Sequence, residues 1–289
     1  MKNQKIICVD IGATKIHIGA IQGGAIVAEL LLPTPALASE NQVLAEIAGG
    51  IAQLMDEQVT GIGIGVPGLV DETAGVVYDV INIPSWKEVH LQKYMADQFQ
   101  VPVYLTNDAN TFVLGEKVYG KAKAYKHVVG ITLGSGLGAG IIANGSLYAG
   151  AFSGAGEFGH IPYLDKNVEA YCGGEFFRSK YGVEGGILKT RAEQGDKTAL
   201  EAFGQYGLHL GNAINLVLYT LSPEAIFLGG SISKSFPLFK DAMRRRVQAF
   251  PFKRITKGLI IEPSTIDNAA LWGAAALFRM ASAAKMAAA

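Results

Sequence analysis

A short glycine-bounded stretch holds four side chains that suit either a metal site or a binding site for a polar small molecule. The stretch GEFGHIPYLDKNVEAYCGG, residues 156–174, contains Glu157, His160, Glu169 and Cys172. Imidazole and thiolate are common zinc ligands. Carboxylates and imidazole form hydrogen bonds equally well with the hydroxyl groups of a polar small molecule. The stretch by itself leaves both interpretations open.

Three glycine-containing turns could bind a nucleotide. In DIGATK, which begins at Asp10, a carboxylate precedes a tight turn whose backbone N–H groups can bind phosphate oxygens, and the carboxylate can hold a hydrated Mg²⁺. TLGSGLGAG, residues 132–140, lacks large side chains, so a ligand can approach its backbone closely. The Gly229-Gly230 pair would admit a flat ring. DIGATK lacks the Walker A spacing, and alone it fits a structural hairpin equally well.

Asp108 stands where a predicted strand, VPVYL followed by Thr106 and Asn107, meets a predicted helix. A carboxylate near a helix N-terminus is favoured in its ionised form by the helix dipole. A general base for a hydroxyl group must be ionised and within hydrogen-bond reach. Asn and Asp are also the preferred helix caps, and local sequence alone favours a structural cap.

The elements that position these residues alternate between strand and helix, which indicates an α/β architecture. The stretch from Lys5 reads as strand, glycine break and strand, and the same pattern returns from His127, with Thr132, Gly134 and Gly136 aligned on Asp10, Gly12 and Thr14. This predicts an internal duplication and two lobes on mixed sheets with a cleft between them. We expect residues 1–107 and 268–289 to form a small N-terminal lobe and residues 108–267 a large C-terminal lobe.

Composition excludes several classes of protein. The chain has 289 residues, 49% of them hydrophobic, and a net charge of zero, so it can bury a large core and has no electrostatic footprint for nucleic acid or a membrane. With two cysteines, a disulfide framework is not expected, and a reducing cytoplasm fits best. The Ala-rich C-terminal stretch is interrupted by Arg279 and Lys285, which argues against a membrane span.

Seven ordered motifs together resemble one family. DIGATK, TLGSGLGAG and FLGGSIS resemble the phosphate-1, phosphate-2 and adenosine segments of the actin-like sugar kinase superfamily. GVPGLVD, NIPSW, TNDANTFVLGE and GAGEFGHIP resemble the ROK family of bacterial sugar kinases and sugar-responsive repressors. The similarity runs from Ile6 to about Leu277. It implies a two-lobed actin-like, ribonuclease H-like ATPase fold with an interlobe cleft.

The resemblance also implies roles for individual residues. It makes the protein an ATP-dependent kinase of a hexose or N-acetylhexosamine, with glucose and its 6-hydroxyl favoured. It makes Asp108 the general base, and Asp10 the residue that holds Mg²⁺ through water. The residues implied to bind ATP are Asp10, Gly12, Thr14, Lys15, Thr132, Gly134, Gly136, Gly229 and Gly230. The residues implied to bind the sugar are Gly68, Asn107, Asp108, Glu157, His160 and Glu169.

The opening stretch departs from the family pattern. In that pattern a cysteine cluster follows the Gly-His pair and binds structural zinc with the histidine, whereas here Cys172 is the only cysteine available. Aligning Glu169 with the glutamate that follows the cluster makes the zinc segment a deletion, so no structural zinc is expected. If that alignment is wrong, Glu175 replaces Glu169 as the second sugar carboxylate.

Two alternatives to a kinase are a ROK repressor and a non-catalytic sugar sensor. The chain opens directly on the strand before DIGATK, which leaves no room for an N-terminal helix-turn-helix and argues against the repressor. The presence of both Asp10 and Asp108 argues against the sensor. The expected partner is a small sugar, with no nucleic acid or membrane, and a homodimer is expected from the family alone.

Overall fold

The computed structural model of the chain describes residues 4–288. Its strands are β1 (Lys5–Ile11), β2 (Lys15–Gln22), β3 (Ala25–Pro33), β4 (Val59–Val66), β5 (Leu69–Asp71), β6 (Val76–Tyr78), β7 (Glu88–Val89), β8 (Val103–Asn107), β9 (Val128–Leu133), β10 (Leu137–Ala143), β11 (Ser146–Leu147), β12 (Pro162–Tyr163), β13 (Lys166–Asn167), β14 (Ala225–Gly229) and β15 (Ile260–Pro263). Its α-helices are α1 (Glu40–Ala52), α2 (Leu91–Phe99), α3 (Asp108–Tyr119), α4 (Val168–Cys172), α5 (Glu175–Tyr181), α6 (Gly185–Glu193), α7 (Lys197–Thr220), α8 (Phe236–Gln248), α9 (Lys253–Thr256) and α10 (Ala269–Ala288).

The chain folds into two compact units, and the first contains residues 4–123, 147–155 and 266–288 of the described range. Its main sheet has the strand order β3-β2-β1-β4-β8, with β1 antiparallel to β2 and parallel to β4. Strands β1 and β4 are almost continuously apolar because both faces of the sheet are covered. Helices α1 and α2 belong to the core on one face, and α10 belongs to the core on the other.

Helices α3 and α10 of this unit cross at very close range. A β-carbon built on Gly273 of α10 would lie 1.6 Å from the carbonyl oxygen of Thr111 in α3. One built on Gly115 of α3 would lie 2.0 Å from the carbonyl oxygen of Ala269. Only glycine permits backbones to approach this closely, and the crossing holds α3, the helix that begins at Asp108, against α10.

The second unit comprises residues 124–146 and 156–265. Its sheet has the order β11-β10-β9-β14-β15, in which β9 is antiparallel to β10 and parallel to β14, and β14 is parallel to β15. This repeats the order of the first sheet element by element, so the predicted duplication of mixed-sheet units is confirmed. The long helix α7 packs in its core, where the hydroxyl of the buried Tyr206 donates to the carbonyl of Cys172 at 2.8 Å.

The observed units differ from the predicted lobes at two places. Helix α3 lies with the first unit rather than opening the second, because it packs against α10. Residues 147–155 also belong to the first unit, although the chain on either side of them belongs to the second. Between residues 4 and 288, no helix is both long enough and apolar enough to cross a membrane.

Candidate functional site

The DIGATK turn of the first unit lies between β1 and β2 and is closed by its own backbone. The N–H of Gly12 donates to the carbonyl of Lys15 at 2.9 Å, and the Thr34 hydroxyl donates to the carbonyl of Gly12 at 2.7 Å. Asp10 stands on β1 directly before this turn, paired with His17 of β2. The predicted phosphate turn therefore exists as a fixed hairpin with Asp10 at its base.

Asp10 is a partly buried carboxylate with a strongly perturbed acidity. Burial and, to a smaller extent, the negative charge of Asp108 raise its pKa, Lys15 lowers it, and the net result is a pKa of about 7. Two predicted functional carboxylates of the same unit therefore act on each other electrostatically. A pair of carboxylates with a single lysine beside it is a donor set that attracts a hydrated divalent cation.

The Asn107-Asp108 pair forms the junction of β8 and α3. Asn107 is the N-cap of α3: its side-chain oxygen accepts from the N–H of Ala109 at 2.9 Å, and its amide nitrogen donates to the carbonyl of Gly68 at 3.1 Å. Asp108 is the first residue of the helix. The Asp108 carboxylate also accepts the N–H of Ala109, at 2.9 Å, so both side chains interact with the helix N-terminus, and Asn107 at the same time ties the Gly68 loop to the end of β8.

The sugar-binding candidates of the second unit form one cluster. Nε2 of His160 lies 3.6 Å from a carboxylate oxygen of Glu157, and both side chains are about half exposed. Burial raises the pKa of Glu157, His160 lowers it, and the charge of Glu169 raises it. Glu157, His160 and Glu169 are therefore neighbours, as the spacing of GEFGHIPYLDKNVE suggested.

Glu169 also supports the second glycine hairpin. Its carboxylate accepts the N–H of Leu137 at 3.0 Å, and a β-carbon on Gly136 would lie 2.0 Å from the same oxygen. The N–H of Gly174, just after α4, donates to the carbonyl of Gly134 at 2.9 Å. The segment 156–174, which carries Glu169, and the predicted phosphate hairpin are thus held together by hydrogen bonds within this unit.

Glu175, the alternative second sugar carboxylate, makes different contacts from Glu169. It stands in the first turn of α5, and its carboxylate is 3.4 Å from the guanidinium of Arg178. Electrostatic interaction with Glu157 is found for Glu169. The geometry of the cluster thus favours the alignment that selects Glu169.

Cys172 is buried in the core of the second unit, and burial raises the pKa of its thiol well above the usual range. Within residues 4–288, no group of three or more His, Cys, Asp or Glu side chains is arranged to hold a metal ion. Cys172 packs among apolar neighbours as a small hydrophobic residue.

A cavity of about 340 Å³ in the second unit adjoins the glycine hairpin. Strand pairing brings the glycine motifs together, because Gly229 of β14 pairs with Thr132 of β9. The cavity is lined by hairpin residues, by α5 and α6, and by the segment that follows β14. Among the lining residues are Gly134, Ser135, Arg178, Lys189, Ser231 and Lys234.

Several polar lining residues were not among the sequence-based candidates, including Ser135, Arg178, Lys189, Ser231 and Lys234. Two of them had a usable signal. Lys234 follows the Gly229-Gly230 pair in FLGGSISK, and Arg178 follows the Gly173-Gly174 pair in GGEFFRSK, so each is a cation shortly after a glycine turn. Lys189 lies on a separate helix and had no such signal.

Comparison with known proteins decides the family. The ROK family model matches residues 6–281. The chain belongs to the ROK family. A relative with a known structure is a ROK family glucokinase from Streptomyces griseus in complex with glucose and AMPPNP, which is 27% identical, with a TM-score of 0.84 over 96% of this chain and 99% of that one. The fold of this ROK protein is accordingly the actin-like ATPase fold of the ROK sugar kinases, as predicted.

The curated relatives of this ROK protein include both enzymes and repressors. The glucokinase of Thermotoga maritima is 28% identical over 313 aligned positions, covering 96% of this chain and 98% of the relative. The xylose repressor of Bacillus subtilis is 29% identical over 223 positions, but the match covers 72% of this chain and only 58% of the repressor's length. Family membership by itself therefore does not assign an activity.

Proposed function

We propose that this ROK protein is an ATP-dependent sugar kinase that phosphorylates a hexose or N-acetylhexosamine. The observation that carries the proposal is the Asn107-Asp108 junction. Asn107 caps α3 and binds the Gly68 loop, and the Asp108 carboxylate, which accepts the N–H of Ala109 at 2.9 Å, stands in the first turn of the helix, where its negative charge is favoured. An ionised carboxylate held there suits a base that accepts the proton of an attacking hydroxyl.

The remaining polar groups suit a sugar. Asn107 and the Gly68 backbone in the first unit, and Glu157, His160 and Glu169 in the second, are assigned to sugar hydroxyls. A carboxylate that accepts from sugar hydroxyls discriminates strongly, because a sugar lacking one of them leaves a buried acceptor unpaired. Glucose is the first choice, and its 6-hydroxyl is the favoured acceptor, with N-acetylmannosamine and N-acetylglucosamine next.

The residues present fit a magnesium nucleotide. Asp10 is a carboxylate whose pKa is raised by burial and by a neighbouring carboxylate, so a cation near it would restore the ionised form. Asp10 would hold Mg²⁺, the DIGATK turn and the Gly134 hairpin would bind phosphates, and the cavity with Arg178 and Lys234 would take the nucleoside. Bound MgATP supplies the phosphoryl group and neutralises its charge.

A sugar-responsive regulator is the second candidate, because xylose repressors are among the relatives. A regulator would bind a sugar through the same polar groups without transferring phosphate. Turnover therefore separates the two functions, and sugar binding does not.

The decisive experiment is an assay of ADP release with MgATP and a panel of glucose, mannose, fructose, N-acetylglucosamine and N-acetylmannosamine. We expect sugar-dependent ADP release, strongest with glucose, because the chain has the residues proposed as the general base and as the sugar-binding carboxylates. The sugar-free reaction is the control. Sugar binding measured by calorimetry, with no ADP release for any sugar, would contradict the kinase and favour the regulator.

A further inference from the structure

The side chain of Glu72 reaches from an exposed turn to two buried hydroxyl groups of the first unit. One carboxylate oxygen accepts from the Thr106 hydroxyl at 2.5 Å and from the Ser153 hydroxyl at 2.8 Å. Thr106 is fully buried, Ser153 is 3% exposed, and residue 72 itself is exposed. The amide of Asn110 donates to the same Thr106 hydroxyl at 3.2 Å, which completes a chain of hydrogen bonds.

Ser153 belongs to a segment with unfavourable backbone geometry. Within residues 147–155, Phe152 and Ser153 both have a φ of 52°, in the left-handed region. For residues other than glycine this conformation is unfavourable, so the surrounding contacts must hold it. The hydrogen bond from Ser153 to Glu72 is one such contact, and the edge-to-face packing of Phe152 on Tyr78 is another.

The same segment packs around the loop that carries Gly68. A β-carbon on Gly154 would touch the Leu69 side chain at 3.3 Å, and Phe152 packs on Tyr78, whose carbonyl lies against Gly68. Gly68 accepts the hydrogen bond of Asn107. Thr106, the other residue bound by Glu72, directly precedes Asn107 and Asp108. Glu72 therefore restrains Asn107 and Asp108 in two ways: directly through Thr106, and indirectly through the segment 147–155, which packs on the Gly68 loop.

We propose that Glu72 is a positioning residue for sugar binding: it holds the segment 147–155 on the end of β8 and so fixes Gly68, Asn107 and Asp108. The inference rests on the proposed function for its effect on the sugar, but the anchoring is a property of the first unit alone. Glu72 acts through the hydroxyls of Thr106 and Ser153.

The turn that carries Glu72 is built independently of its side chain. Asp71 accepts the N–H groups of Thr73 and Ala74 at 3.0 and 2.9 Å. Removing the Glu72 carboxylate should therefore leave the turn folded. Glu57 is an exposed glutamate in another loop of the same unit, and Glu57→Ala is the matched control.

The test compares Glu72→Ala, Glu72→Gln and Glu57→Ala. We expect Glu72→Ala to raise the KM of the sugar at least tenfold, to leave the KM of ATP within twofold, and to accelerate amide hydrogen exchange in residues 147–155. Glu72→Gln keeps an oxygen that accepts two hydrogen bonds, so it should recover the sugar KM to within threefold. In the double variant with Ser153→Ala, the sugar KM should equal that of Glu72→Ala, because both changes remove the same bond.

Several results would overturn the inference. Unchanged exchange in residues 147–155 of Glu72→Ala would refute the anchoring, whatever the activity. Equal increases in the KM of the sugar and of ATP would refute a positioning role. An equal increase in the sugar KM for Glu72→Gln and Glu72→Ala would show that the negative charge of Glu72, and not its hydrogen bonds to the two hydroxyls, affects sugar binding. Wild-type protein that phosphorylates no sugar would refute the proposed function, and the exchange rates would still decide the anchoring.

Discussion

At the scale of single residues, Asp10 is a proposed Mg²⁺ ligand whose negative charge is unfavourable in its partly buried position when no cation is bound. It is partly buried on β1, and its pKa lies near 7 because of burial and the charge of Asp108. An unfolded aspartate titrates near 3.8. The folded state therefore binds this proton more tightly than the unfolded chain does, and the resulting stabilisation is complete below about pH 4 and is lost as the pH rises to about 7.

Asp10→Asn should accordingly be more stable than the wild type at pH 8 without Mg²⁺ or nucleotide. The partial exposure of the side chain reduces the effect, and we expect a gain of about 1–2 kcal/mol in the free energy of unfolding at pH 8 and no gain at pH 4. Urea unfolding at both pH values measures it, with the exposed Asp241→Asn as the control. A gain of equal size at pH 4 would show that the carboxylate is not protonated in the folded state.

At the scale of elements, the crossing of α3 and α10 supports the helix that begins at Asp108. Gly273 faces the backbone of Thr111 at a distance that no side chain permits. Gly273→Ala must push the two helices apart, and overpacking of this kind costs about 3 kcal/mol. Urea unfolding should show this loss.

Gly49→Ala is the matched control for Gly273→Ala. Gly49 lies in helix α1, and a β-carbon there would meet no atom within 4 Å. An exposed helical glycine replaced by alanine gains about 0.5–1 kcal/mol in stability. Equal stability of the two variants would show that the helices separate without cost, contrary to the packing described above.

The parts of the site that could be predicted are those formed by residues close together in the sequence. The glycine turns, the Asn107-Asp108 junction and the grouping of Glu157, His160 and Glu169 follow from residues close together in sequence. The start of α1 also depends on residues close together in sequence: Ser39 and Gln42 form a capping box, in which the Ser39 N–H donates to the Gln42 side chain at 3.0 Å.

The rest depended on long-range packing. Glu72 and Ser153 are 81 residues apart, and Lys189 reaches the cavity from a helix without a motif. The membership of residues 147–155 in the first unit follows from packing on β5 and not from any local pattern. Helix α10 continues through the Ala-rich run to Ala288, because that run contains no stop signal.

At the scale of the whole molecule, two units with the same strand order carry different parts of the proposed function. The first unit holds Asn107 and Asp108, which are proposed to bind the sugar and accept its proton, together with Asp10. The second unit holds the segment 156–174, which contains Glu169, and the cavity. A sugar kinase needs the general base and the nucleotide-binding groups in addition to the sugar-binding groups, whereas a regulator needs only the sugar-binding groups. Whether the protein acts as a kinase or as a regulator therefore depends on the role of Asp108.

The most direct test is the activity of Asp108→Asn with the best sugar of the panel. The amide keeps the shape of the side chain and one acceptor oxygen but cannot take up a proton, so we expect kcat to fall at least 10²-fold while the Kd of the sugar, measured by calorimetry, stays within about threefold. Asp97→Asn, at an exposed ion pair with Lys93, should keep wild-type activity. A kcat for Asp108→Asn equal to that of the wild type would contradict the assignment of Asp108 as the general base.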